Sequence, residues 1–75
     1  MQKWEYLRVR ADYALAGKLT SIKANSEKVE LREGKSPLSV YFSELGAEGW
    51  EMVNVFTLLE GYGHVEVYHF KRPIT

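Results

Sequence analysis

Apolar and polar side chains alternate through residues 3–9, with Trp4, Tyr6 and Arg8 on one side and Glu5, Leu7 and Val9 on the other. That is the period of an extended strand. Residues 10–19 are harder to read: Tyr13, Leu15 and Leu19 favour extension, while Ala14, Ala16 and Gly17 weaken it. Residues 18–24 and 27–33 predict a hairpin about Asn25-Ser26, with β-branched Thr20, Ile22 and Val29 flanking the turn. Lys18, Lys23, Lys28, Glu30 and Arg32 surround only a few aliphatics, so this hairpin belongs at a sheet edge or projects from the body.

The period changes at Ser36-Pro37. Serine can accept a bond from an orphan N–H as N-cap, and proline suits the first helical position because its missing N–H loses nothing there. Leu38, Tyr41, Phe42, Leu45 and Gly49 then form one helical stripe, with Ser39, Ser43 and Glu44 off it. If Gly49 is the left-handed residue after the helix, Leu45 and Trp50 become the apolar pair that accompanies a Schellman ending; Gly46 is the competing stop. Residues 51–59 and 65–71 predict a closing hairpin around Glu60-Gly61-Tyr62-Gly63-His64.

Strict alternation through the closing hairpin puts Trp50, Met52, Phe56 and Leu58 on one face and Val53, Val55 and Leu59 on the other. Tyr68 and Phe70 oppose Val65 and Val67 in the same way. The expected fold is therefore α+β, a small antiparallel sheet with one helix packed on one face, in a single domain spanning 1–75. One helix covers one face, yet both faces carry apolar side chains, and a second copy of the chain is the simplest cover for the other.

Size sharpens that expectation. A 75-residue chain hides only about 60% of its unfolded surface, and domains this small lean on disulfides, metals or association. There is no cysteine, which excludes disulfides and thiolate zinc sites, and the two histidines cannot close a tetrahedral site unaided. Association is the remedy left. Ten basic and ten acidic residues give zero formal net charge, so there is no global pull toward nucleic acid or anionic lipid. No apolar run reaches the roughly 20 residues of a membrane span. The first six residues lack the apolar core of a secretory signal, so the expected location is cytoplasmic.

Three phrases, Trp4-Glu5-Tyr6, the run from Leu45 through Gly46, Ala47, Glu48, Gly49 and Trp50 to Glu51, and Phe70-Lys71-Arg72-Pro73, occur in this order. Together they resemble a family of short bacterial proteins classed only as a domain of unknown function, the 4177 type. The match covers the first strand and residues from about 36 onward, and departs in residues 10–35, which are longer and more strand-like than the family's connection. The resemblance implies a small sheet-plus-helix fold. It carries over no catalytic residue.

Candidate chemistry is sparse. His64 and His69, five apart on one strand, have opposite parity and cannot ligate one ion within a chain, although Glu66 shares a face with His64. Glu48 and Glu51 flank the helix exit and could form an acid/base pair only in environments that separate their pKa values. Gly61-Tyr62-Gly63 joins two strands and so reads as a hairpin turn, since a phosphate cradle leads into a helix. Trp4, Tyr6, Arg8 and Arg10 share one parity and Tyr68, Phe70 and Arg72 another, an aromatic and basic surface of the kind that stacks bases; zero net charge and Glu66 in the second row disfavour that reading. Arg8, Tyr13, Tyr62 and His64 are the candidate contacts for a small ligand. No catalytic residue, cofactor or metal is implied. The expected function is a homo-oligomeric structural or interaction module without catalysis. A small-ligand or nucleotide-binding oligomer is the alternative, and a single-stranded nucleic-acid binder comes third.

Overall fold

The computed structural model describes residues 1–15, 17–29, 37–61 and 63–74. It is α+β: a five-stranded antiparallel sheet and one helix. In chain order the elements are β1 (Lys3–Ala14), β2 (Leu19–Ala24), β3 (Glu27–Val29), α1 (Pro37–Ala47), β4 (Glu51–Glu60) and β5 (Gly63–Ile74). The sheet order is β3-β2-β1-β5-β4. The two longest strands, β1 and β5, lie side by side in the middle, in register from Lys3 opposite Ile74 to Ala14 opposite Gly63.

The first strand thus continues five residues beyond the expected 3–9. Polar Arg10 and Asp12 alternate with Ala11 and Tyr13, but alanine carries so little hydrophobic signal that the period is hard to see in sequence. In the fold Ala11 is fully buried beside Val9 and Ile22, where a larger side chain would not be needed to exclude water. At the far end of β1 the approach is close: a Cβ on Gly63 would lie 2.0 Å from the carbonyl oxygen of Tyr13, so glycine alone permits this pairing.

The polar hairpin takes the edge position expected of it. Asn25 and Ser26 both have positive φ, 49° and 73°, the conformation of a two-residue type I′ turn. Asn25 is also tied to β1, its N–H donating to the Arg8 carbonyl and its side-chain oxygen accepting from the Arg8 N–H, both at 2.9 Å. The part of the expected hairpin from 30 to 33, and Ser36 as N-cap, lie outside the described residues.

Helix α1 turns its predicted stripe onto the sheet. Leu38, Tyr41, Phe42 and Leu45 pack against Val9, Ala11, Ile22, Tyr68 and Phe70, with the Phe42 ring edge-on to Tyr68 at 4.6 Å between centroids. Of the two candidate stops, Gly49 is the one used. It has φ 91°, the Trp50 N–H donates to the Leu45 carbonyl at 3.0 Å, and the Gly49 N–H donates to the Gly46 carbonyl at 3.0 Å. Those are the two bonds of a Schellman ending, and Trp50 joins the core below it.

Strict alternation fails in β4. The register shifts between Met52 and Asn54, so Met52 opposes Phe70 on the helix side while Phe56 and Leu58 oppose Val67 and Val65 on the open side. Met52 therefore does not share a face with Phe56 and Leu58, because a bulge adds one residue and inverts the parity that follows. Val55 opposes Tyr68 and Leu59 opposes His64, on the helix side. The open face is also less uniformly apolar than the sequence implied. Val65 and Val67 are buried there, but the neighbouring row on β1 is Trp4, Tyr6, Arg8, Arg10 and Asp12. Uncovered apolar surface is instead concentrated on β4, where Val53, Val55, Phe56, Leu58 and Leu59 are all exposed.

Candidate functional site

The three phrases that drew attention in the sequence meet in space. Glu5 of β1 and Arg72 of β5 are directly opposite and form an ion pair. The Arg72 guanidinium also lies 4.3 Å over the Trp50 ring and donates to the Glu48 carbonyl at 3.0 Å, satisfying an oxygen left over at the helix end. On the other face Lys71 Nζ sits 4.2 Å from the centre of the Trp4 ring. These contacts bind the first strand, the helix exit and the last strand to one another. They form a latch, and their chemistry is fully used in holding it. Glu48 and Glu51, the candidate acid/base pair, are both solvent-exposed at this junction, with Glu51 opposite Lys71 across the strands.

A second polar cluster lies toward the opposite end of the helix-side face and adjoins the core through Tyr68, which packs against Phe42 of α1. Tyr13 and His64 face one another across β1 and β5 with parallel rings 4.5 Å apart. His64 Nε2 lies 3.6 Å from a Glu66 carboxylate oxygen, and the Tyr68 hydroxyl donates to the same carboxylate. Burial, the hydrogen bond to Glu66 and the charge of Glu66 together push the Tyr68 phenol well above its ordinary range. Burial and then Glu66 also raise Tyr13, against a smaller opposing effect from the Tyr68 hydroxyl. Both phenols are neutral donors near neutral pH rather than nucleophiles. Beside them is an open hollow of about 320 Å³ lined by Asp12, Tyr13, Thr20, Gly63, His64 and Val65. The Thr20 hydroxyl is engaged with the Asp12 carbonyl at 3.0 Å, and the Ser21 hydroxyl with the Asp12 carboxylate at 3.0 Å.

Of the four candidate ligand contacts, the fold brings Tyr13 and His64 together and sends Arg8 to the other face; Tyr62 lies outside the described residues. His64 and His69 do point to opposite faces, His64 against Tyr13 and His69 against Phe56. Among the described residues no three histidine, aspartate or glutamate side chains gather to hold a metal ion, and no helix is long and apolar enough to cross a membrane. Sequence offered no pairing for Glu5 or Asp12, and it set Arg72 in a surface row with Tyr68 and Phe70, two rings that the fold instead buries in the core.

The third feature is the β4 edge. Its outer side has no strand partner among the described residues, and its side chains stand out from both faces: Val55 is 49% exposed, Leu58 48% and Leu59 89%. On the other edge, the described residues of β3 include Glu27 and Lys28. Natural sheets blunt their edges with charges, as Glu27 and Lys28 do on β3, whereas β4 carries none between its terminal glutamates. Between its terminal glutamates β4 reads Met-Val-Asn-Val-Phe-Thr-Leu-Leu, without a charge or a proline.

No family model, curated protein or solved structure matches this chain.

Proposed function

We propose that the protein is a non-catalytic assembly module that associates with itself through β4. The observation that carries this reading is the uncharged, exposed aliphatic run along β4. A ten-residue strand whose outer edge is unpaired among the described residues, with aliphatic side chains on both faces, is a template for another strand, and a second copy supplies an identical one. Antiparallel pairing about a two-fold axis normal to the sheet keeps like faces together. Phe56 and Leu58 of one copy then meet their counterparts on the open side, and Val55 and Leu59 meet theirs on the helix side. Both helices end on the same face of a continuous sheet. Association also answers the shortage of core in a chain of this size without cysteine.

The three phrases support kinship with the short bacterial family they resemble, since a latch built from them is a reason for such residues to recur together. Solution mass over a dilution series tests the assembly reading. A mass of at least twice 8.7 kDa that falls on dilution supports it, and a folded monomer throughout the micromolar range removes it.

A small-ligand-binding oligomer is the second reading, supported by the hollow walled by the Tyr13–His64 stack. A ligand selective for the native state must raise the melting temperature, so a thermal-shift screen of metabolites tests it.

A further inference from the structure

The zero net charge of the chain conceals a segregation that the fold makes visible. Across the open face, Arg8 and Arg10 of β1 stand beside Lys23 of β2, Lys28 of β3 and Lys71 of β5; Asp12, Glu51 and Glu60 hold the acidic register positions of that face among the described residues. Glu5, Glu27 and Glu66 take the helix side, as do Glu44 and Glu48 around α1, against two cations of the same parity, Lys3 and Arg72. Balanced composition therefore excludes a globally basic protein but not a basic surface, and a surface is what a polyanion meets.

Aromatic rings lie in the same row as the cations. Tyr6 is 69% exposed and Trp4 37%, and both alternate with Arg8 and Arg10 along one strand. Successive members of that row are about 7 Å apart, comparable to the phosphate step of an extended single strand. Arg8, Arg10, Lys23 and Ser26 also enclose a hollow of about 130 Å³, of a size and polarity for one phosphate group. Asp12 pairs with Arg10 at 3.0 Å, which orients that guanidinium and offsets part of its charge.

From this placement we infer that the open face binds single-stranded nucleic acid, with a backbone phosphate in the Arg8/Arg10/Lys23/Ser26 hollow and a base stacked on Tyr6. Unpaired bases are the feature that exposed rings select, because a duplex keeps its bases stacked on one another, and a flat sheet face cannot enter its major groove. A free phosphate would use the hollow but not the rings, and an anionic membrane would use the charge without needing Tyr6. The inference does not rest on self-association: the face belongs to one copy, and pairing through β4 extends it without covering it.

The test is fluorescence anisotropy of the wild-type chain with labelled oligo-dT and oligo-U at low salt, repeated over a salt series. Three ion contacts, from Arg8, Arg10 and Lys23, predict a slope of about −2 in log affinity against log salt concentration. Tyr6→Ser lowers affinity about tenfold through lost stacking. Arg8→Gln with Lys23→Gln flattens the slope by about 1.4. All three positions are exposed, and an unchanged melting temperature verifies that each variant folds. The inference is overturned by absence of binding at low salt, by equal affinity for duplex, by no effect of Tyr6→Ser, or by preference for phosphatidylglycerol vesicles. Competition by inorganic phosphate at concentrations matched in phosphate to the oligonucleotide also overturns it. A folded monomer that binds oligonucleotide leaves this inference intact while removing the assembly reading.

Discussion

The guanidinium of Arg72 lies 4.3 Å over the ring of Trp50. The same side chain reaches Glu5 on the first strand and the Glu48 carbonyl at the helix end, so one residue near the end of β5 joins parts of the chain that are distant in sequence. Lysine keeps the charge but loses the planar stack and the forked donors. Arg72 and Glu5 are partly exposed, so the ion pair itself contributes little. Arg72→Lys should lower unfolding free energy by about 1 kcal/mol, from the lost stack and carbonyl bond. Urea denaturation reads this, and an unchanged midpoint would show that the contacts do not act as a latch.

Two glycines near the helix end should respond oppositely to alanine. Neither Gly46 nor Gly49 has an atom within 4 Å of where a Cβ would stand, so crowding does not distinguish them. Backbone conformation does. Gly49→Ala forces a side chain into φ 91° and should cost about 1–2 kcal/mol. Gly46→Ala lies inside the helix and should stabilise by about 0.5–1 kcal/mol. Thermal melts of the two variants should shift in opposite directions; shifts of the same sign would misplace the helix stop.

The phenols give the fold an alkaline limit. Tyr68, Tyr13 and Tyr41 are all raised above the tyrosine value of 10.0, each first by burial. A folded pKa above the unfolded one means that the native state holds its proton longer. The associated stability is complete below pH 10 and is lost as pH rises through and beyond it. The melting temperature should fall above pH 10, and Glu66→Gln should shallow that fall by removing a negative charge that helps keep Tyr68 and Tyr13 protonated. An identical alkaline profile for the variant would detach Glu66 from these phenols.

The helix and its ending were legible because their signals are local: a stripe at helical spacing, then a glycine followed by an apolar residue. The Asn25-Ser26 turn was legible for the same reason. The extent of β1 was not, since Ala11 occupies a fully buried position without announcing it. Nor was the bulge after Met52, which depends on pairing with β5 and reverses the faces of Phe56 and Leu58. Charge segregation was hidden for a third reason. Composition sums over the whole chain, whereas faces are decided by register across strands far apart in sequence. Tyr13 and His64 were named separately, but their stacking follows only from the long β1–β5 register.

Charge placed on the exposed edge offers a functional counterpart to the dilution series. Leu58→Lys or Val55→Lys adds a cation to a side chain that is about half exposed in a single copy. Either should weaken association at least tenfold by burying an unpaired charge between copies. The melting temperature extrapolated to low concentration should hardly change. Lys28→Glu on β3 should leave association unaltered.

The absence of cysteine permits the most direct measurement of β4 pairing. Single cysteines introduced in turn across residues 54–58, then oxidised mildly at micromolar protein, should give at least one position that forms a covalent dimer rapidly. Antiparallel copies bring some Cα pairs within the disulfide range of about 4.4–6.8 Å. A cysteine replacing Lys28 on β3 should not cross-link at that rate. Cross-linking confined to β3, or a scan in which every β4 position stays monomeric while the protein remains folded, would contradict self-assembly through this strand.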